Sequence, residues 1–243
     1  MREVFVFDSR DADGPPELRA ERGTTGGVRF GRCVAGNPLA KPTGLAASSA
    51  EDAVVCWSGW IADDENPAAA SPRTWSAAGW AGLERACRQI AEKRASHEGA
   101  GMWAGSILNV WFWSRAGHVL SDLPSCLKFM RDCGEWEGQS SVRFGIVLDP
   151  VGMLTAEMLP KAEDFVARII EGAAGQDRVG ALAVCNVSVE RSSASVGPPW
   201  RSPAHRGSIA PERLGDLMLA IGPNTAVALV DEDVEAQRAA LGV

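Results

Sequence analysis

The chain has 243 residues, of which 46% are hydrophobic and 23% are charged, and its formal net charge is −7. This acidic balance argues against a protein that binds nucleic acid by neutralising phosphates, and the lack of an apolar run of about 18 residues argues against a membrane span. The N-terminus lacks the apolar core of a signal peptide, and the six cysteines show no Cys-X-X-Cys spacing. We therefore expect a cytoplasmic protein with reduced thiols.

The first part of the chain alternates short apolar segments with connections rich in glycine and proline. β-Branched and aromatic residues predict strands at 4–7, 28–34 and 53–57. A helix is expected from about Ser76 to His97, because apolar side chains recur there at spacings of three and four residues. The glycines that follow at 99–101 are typical of a helix end.

The middle of the chain carries the segment on which the predicted fold class depends. Residues Ser106 to Trp113 are apolar and β-prone, which predicts a strand. The sequence Ser114-Arg115-Ala116-Gly117 is typical of a tight turn, so we expect a hairpin into His118–Leu120. A short helix at 124–133 and a buried strand at 142–148 are expected to follow.

The second half has a more regular succession of elements. We expect helices over Thr155–Gly172 and Pro211–Ile221, and strands over Val179–Val189 and Ala226–Val230. An acidic helical tail is expected to close the chain.

Two topologies are compatible with this order of elements. Alternating helices and strands could form parallel βαβ units, but the expected hairpin at Ser114–Gly117 and the irregular loops favour an antiparallel arrangement. The prediction is therefore an α+β fold, with a mixed or antiparallel β-sheet and helices packed on it. We expect residues 1–243 to form a single domain, with a soft division near residue 150 as the alternative.

No sequence pattern typical of a catalytic, cofactor or metal site is found. The three histidines, His97, His118 and His205, lack metal-ligand spacing with one another or with a cysteine. No Gly-X-Ser-X-Gly motif is present, and the glycines at 99–105 lack the spacing of a dinucleotide-binding loop. We therefore expect no cofactor and no bound metal, and a binding protein rather than an enzyme.

Tryptophan is concentrated in one part of the chain. Eight of the nine tryptophans lie between Trp57 and Trp136, and the chain has no tyrosine. Indole rings bury large areas and dominate both cores and interfaces, so this stretch is either core or docking surface. Trp111 and Trp113 share one face of a predicted strand, which favours the core. Tryptophans in or near turns are the better candidates for exposure: Trp57, Trp60, Trp136 and Trp200.

The motif Trp-X-Gly occurs four times, at 57–59, 80–82, 103–105 and 136–138, where composition predicts about one occurrence. The first, Trp57-Ser58-Gly59 at the end of a predicted strand, resembles a motif of a bacterial immunity-protein family, immunity protein 52. The family's second motif is Tyr-X-X-X-Cys, and its nearest counterpart here is Phe129-Met130-Arg131-Asp132-Cys133. The resemblance implies a cytoplasmic α+β protein that binds and neutralises a polymorphic toxin, often a nuclease-type effector of type VI secretion.

The resemblance also implies a partner, a cognate toxin that we expect to be basic. Tight binding rests on a few desolvated aromatic or arginine anchors, for which we select Trp60, Trp200 and Arg201. Acidic residues are expected to steer the encounter, and they form two clusters: Asp63, Asp64 and Glu65, and Asp231, Glu232 and Asp233.

Two other functions stay open at this point. An adaptor or chaperone would bind an effector in order to deliver it, with no inhibition. An enzyme would need a site assembled from residues distant in sequence, such as His118 or His205 with a carboxylate and a serine in one pocket.

Overall fold

The computed structural model describes residues 4–7, 19–20, 29–33, 37–42, 52–64, 69–99, 107–188, 201–223 and 225–243. In these ranges the strands are β1 (Val4–Phe7), β2 (Arg19–Ala20), β3 (Arg29–Cys33), β4 (Asp52–Trp57), β5 (Leu108–Trp113), β6 (Val142–Leu148), β7 (Val179–Val184), β8 (Asn186–Val187), β9 (Arg201–Ser202) and β10 (Ala226–Val230). The α-helices are α1 (Ala77–Gly99), α2 (Leu123–Glu137), α3 (Ala162–Gly172), α4 (Pro211–Ala220) and α5 (Val234–Leu241).

The main sheet is parallel, which corrects the predicted α+β class. Six strands pair in parallel in the order β1-β10-β7-β6-β5-β4. Strand β3 extends the sheet in parallel beyond β4, and the two-residue β2 pairs antiparallel with β1 at the other end. The chain is therefore an α/β protein built from βαβ units, Rossmann-like in its parallel sheet and crossover helices.

The expected hairpin after β5 is wrong, and the contacts around β5 give the reason. Both edges of β5 are already paired, with β4 on one side and β6 on the other. The segment after Gly117 instead bonds to the end of β4: the backbone N–H of Val119 donates to Gly59 at 2.9 Å, and that of Leu120 donates to the Ser58 hydroxyl at 3.1 Å. The chain then enters α2 and crosses over to β6.

The sheet curls so strongly that distant strands meet across its concave face. In a flat sheet four strand spacings would separate β1 from β5 by about 19 Å. The ring centroids of Phe7 on β1 and Trp113 on β5 are nevertheless only 5.2 Å apart. The backbones of β2 and β3, at opposite ends of the strand order, also approach each other. The concave side is therefore a closed, packed core.

Large side chains pack against small ones in this concave core. Phe5 pairs in register with Ala228, which in turn pairs with Ala183, so small residues on β10 and β7 share the face that carries large rings. Trp111 lies against Gly145 on β6 and Gly180 on β7, and an added Cβ at either glycine would collide with its ring. Such interlocking of large and small residues is typical of barrel interiors.

The helices cover the convex face. Phe129 of α2 packs edge-to-face on Phe112 of β5 at 5.4 Å between ring centroids, and α2 also contacts α1. Helices α3, α4 and α5 also pack side by side, with α3 against α4 and α4 against α5. In the described part of the chain no helix is both long and apolar enough to cross a membrane.

Most predicted elements are confirmed, with two local corrections. The helix expected from Thr155 is a 3-10 turn over Ala156–Lys161 followed by α3, because Pro160 cannot donate a helical hydrogen bond. The strand expected over Val179–Val189 is divided into β7 and β8, and β8 leaves the main sheet to pair with β9.

Candidate functional site

Side chains that follow neighbouring strands meet at the carboxyl-terminal edge of the sheet. Parallel strands end at one edge, and ligands of α/β proteins characteristically bind there. Trp60 follows β4, Arg115 and His118 follow β5, and Asp149 follows β6. Arg201 of β9 reaches the same place. We call these five residues the strand-end cluster.

Asp149 organises the cluster and is itself fully engaged. Its carboxylate accepts hydrogen bonds from the Trp113 indole N–H at 2.7 Å and from the backbone N–H of Gly152 at 2.8 Å, and it pairs with the Arg201 guanidinium. Asp149 is completely buried and Arg201 is 5% exposed. A buried pair with this many additional hydrogen bonds holds its surroundings rigidly, and removal of one partner would leave an uncompensated charge.

Arg115 lies beside this pair. Its guanidinium carbon is 4.9 Å from the ring centroid of Trp57, a cation–π distance. Its backbone N–H donates to Leu120 of the same loop at 2.9 Å. Ala116 donates to Gly152 after β6 at 2.9 Å, and Val119 donates to Gly59 after β4, so the loop is tied to both neighbouring strand ends. Burial and the positive charge of Arg201 lower the pKa of Arg115. In the described part of the chain Arg115 forms no ion pair.

His118 lies between two indoles. Its ring centroid is 5.0 Å from that of Trp57 and 5.2 Å from that of Trp60. Burial, and secondarily the charge of Arg115, lower the pKa of His118 to about 3, so the imidazole is neutral at physiological pH. The His118 Nδ1 and the Trp60 Nε1 atoms are both buried, and neither has a hydrogen-bond partner among the described residues.

A histidine, a serine and a carboxylate do converge at this edge, but their contacts are not those of a nucleophilic triad. The Ser114 hydroxyl donates to Val147 at 3.2 Å and accepts from the backbone N–H of Asp149 at 2.9 Å. No hydrogen bond described for these residues joins His118 to Ser114 or to Asp149. A search of the described residues for three or more His, Cys, Asp or Glu side chains grouped around a metal position finds none.

Five of the six cysteines are buried and free: Cys56, Cys87, Cys126, Cys133 and Cys185. Burial is the largest cause of the raised pKa of the Cys133 thiol, about 12, and of the raised pKa values of Cys87, Cys126 and Cys185. The thiolate is the reactive form of cysteine, so these side chains contribute packing rather than chemistry.

The structure corrects several expected surface positions. Trp57 and Trp136 are each only 4% exposed, because the former packs on His118 and the latter packs between Trp80 and Phe129. Trp60 is half-buried, and Arg201 is buried by its pairing with Asp149, which removes it as an exposed anchor. Trp200 lies outside the described residues.

The two acidic clusters are also separated by the structure. Asp63 is half-buried and Asp64 is exposed, whereas Glu65 lies outside the described residues. Arg206 neutralises part of the second cluster, because it bonds to Glu232 at 3.0 Å and also pairs with Asp233. Asp231 is exposed and follows β10 directly. The expected steering charges are thus partly used within the molecule.

A tryptophan that sequence reasoning passed over lies at the surface. Trp75 ends the 3-10 turn Pro72–Trp75 and is 53% exposed. It lines an open groove of about 490 Å³ between the N-terminal ends of α1 and α2, which we call the Trp75 groove. Its other lining residues include Trp80, Val119, Pro124 and Lys128. In the sequence, Ser71-Pro72 is typical of a capped turn, and such a turn just before α1 indicates that Trp75 lies at a helix start.

A scan against protein-family models finds no match to this chain, and a search of curated proteins finds no significant match.

Proposed function

We propose that this protein is an immunity protein that binds and neutralises a cognate antibacterial toxin, a nuclease-type effector of type VI secretion. The exposed Trp75 beside an open groove carries the docking part of the proposal. The resemblance of Trp57-Ser58-Gly59 to the family motif supplies the class of partner.

The Trp75 groove has the composition of a protein-binding surface. Tryptophan is enriched among the residues that dominate binding energy, and such residues lie in pockets that exclude water. Trp80 forms the groove wall, where the Lys128 ammonium lies 3.4 Å from its ring centroid. The Ser71 hydroxyl accepts a hydrogen bond from the backbone N–H of Arg73 at the start of the turn that presents Trp75. The anchor is therefore preorganised, which reduces the entropy lost on binding.

The two motifs of the resemblance occupy constrained positions. Gly59 has φ +81°, and a side chain there would collide with Leu39 and Asn37. Phe129 and Cys133, four residues apart, are both fully buried on the inner face of α2. These motif residues shape the fold, and the partner would contact the surface that they support.

Charge favours a basic partner. The chain carries a net charge of −7, and the groove is bordered by the carboxylates of Glu84 and Asp122. Opposite charges accelerate association, and a nuclease that binds phosphate backbones is expected to be basic.

Co-expression with the product of the neighbouring gene, which we expect to be the toxin, tests the proposal. We expect this protein to restore growth of cells that produce the toxin. A Trp75→Ser variant should lose most of the protection, whereas Leu219→Ser should keep it, since Leu219 is 67% exposed on α4 outside the groove.

The outcomes separate the alternatives. Unchanged or increased killing with a bound effector would indicate an adaptor or chaperone. Killing with no complex formed would refute toxin binding altogether. Protection by Trp75→Ser equal to wild type would retain the function but assign it to another surface.

A further inference from the structure

Among the described residues, the strand-end cluster contains two buried ring nitrogens without hydrogen-bond partners and one guanidinium, that of Arg115, without an ion pair. Buried polar groups are almost always hydrogen-bonded, either within the protein or to a bound molecule. The side chains involved are those of Trp60, Arg115 and His118. Trp60 and Arg115 are half-buried, whereas the Trp60 Nε1 and His118 Nδ1 atoms are buried.

The donors are of one chemical kind. An indole Nε1–H only donates, and a guanidinium has five N–H donors and no acceptor. The Trp60 Nε1 atom has no partner among the described residues, and neither has the His118 Nδ1 atom, which is free to donate in the tautomer that places the proton there. A group that accepts from all three must offer several oxygen lone pairs.

The local charge is net positive. Asp149 is neutralised by Arg201, and its remaining oxygen lone pairs accept from Trp113 and Gly152. Arg115 adds a second guanidinium near the single carboxylate of Asp149, which already pairs with Arg201, so positive charge is in excess here. A guanidinium placed over an aromatic ring and near a second arginine is well suited to hold a carboxylate or phosphate oxygen pair.

The backbone around these side chains is held in place on both sides. Asn37 donates to the carbonyl of Trp60 and accepts from its backbone N–H at 3.3 Å. The loop after β5 is bonded to Gly59 of one neighbouring strand end and to Gly152 of the other. The donors are thus fixed before any ligand arrives, which lowers the entropic cost of binding.

We propose that the carboxyl-terminal edge of the sheet is a binding site for a small oxyanion group, a phosphate or a carboxylate, held by the Arg115 guanidinium, the Trp60 indole N–H and the His118 imidazole. The ligand lies in the position where α/β proteins characteristically bind their ligands. The site is separate from the Trp75 groove, and it stands whether or not the protein neutralises a toxin.

Tryptophan emission provides the readout, because the chain has no tyrosine and two indoles border the site. Purified full-length protein is titrated with inorganic phosphate and, separately, with acetate, each against sodium chloride at matched ionic strength. We expect a saturable change with at least one of the two anions, and the tighter of the two identifies the class of oxyanion. Calorimetry on the same samples confirms the midpoint.

Three variants test the assignment. Arg115→Met keeps a side chain of similar length beside Trp57 and removes the charge, and we expect at least tenfold weaker binding. Trp60→Phe keeps the ring contact with His118 and removes the N–H donor, with a several-fold loss. Arg143→Gln is the matched control: Arg143 lies at the opposite edge of the same sheet, paired with Asp177, and its loss should not change binding.

Circular dichroism and melting temperature establish that each variant is folded. Either variant, if folded, decides the question, so a misfolded Arg115→Met leaves the test to Trp60→Phe. The proposal is overturned if neither anion changes the emission beyond the chloride control. It is equally overturned if the folded variants bind the anion as tightly as Arg143→Gln does.

Discussion

Protonation of His118 provides a quantitative test of the strand-end cluster. The imidazole is 8% exposed, packs between Trp57 and Trp60, and has a pKa of about 3 in place of its usual 6.5. The dominant cause is burial, and the second is the charge of Arg115. Protonation of the folded state would place a charge in this apolar environment, next to a guanidinium.

The direction of the pH dependence of stability follows from which state, folded or unfolded, takes up the proton first. The folded-state pKa lies below the unfolded value, so the unfolded chain binds the proton first as the pH falls. The contribution of neutral His118 to the free energy of unfolding is complete above pH 6.5 and is lost progressively toward pH 3. From the two pKa values the loss is about 1 kcal/mol at pH 6 and about 2 kcal/mol at pH 5.

Urea unfolding followed by tryptophan emission measures this loss, with His118→Phe as the comparison. Phenylalanine keeps a ring between the two indoles and does not titrate, so the contribution of the other ionisable groups is common to both proteins. We expect the free energy of unfolding of the wild type to fall by about 2 kcal/mol more than that of the variant between pH 7.5 and pH 5. Equal pH dependence in the two proteins would refute a buried, neutral His118.

Three further predictions concern stability and reactivity. Asp149→Ala should cost about 3–5 kcal/mol in urea unfolding, because Arg201 would stay buried without its partner; a loss below about 1 kcal/mol would contradict the pair's burial. Gly145→Ala should cost about 1–3 kcal/mol, since the added methyl would overlap Trp111, while Gly215→Ala is a control within α4, where the added Cβ would make only ordinary contacts, the nearest at 3.4 Å. Cys126 should react with a thiol reagent only after unfolding, and rapid labelling of the native protein there would be inconsistent with its burial.

Local patterns predicted most elements because each pattern reports on its own segment. The spacing of apolar residues placed α1 within two residues of its bounds, and the apolar segment 142–148 coincides with β6. Strand pairing, by contrast, depends on contacts distant in sequence. A turn-like sequence after β5 predicted a hairpin, whereas the partners of that segment are Ser58 and Gly59, about sixty residues earlier.

The sequence did not predict the strand-end cluster, because the cluster also depends on contacts between residues distant in sequence. Asp149 drew attention only as the residue that closes a strand, and His118 was assigned to a strand that does not exist. Arg115 was assigned to a turn. Arg201 was expected at the surface, but its charge is buried because Asp149 lies opposite it across 52 positions of the chain. Only the parallel order of the strands brings these residues to one edge.

The affinity of the purified protein for the product of the neighbouring gene, which we expect to be the toxin, tests the central claim most directly. We predict a one-to-one complex with a dissociation constant in the nanomolar range, weakened by about 30-fold or more in Trp75→Ser, as expected for loss of a dominant anchor. Absence of a complex at micromolar concentrations of both proteins would contradict the account.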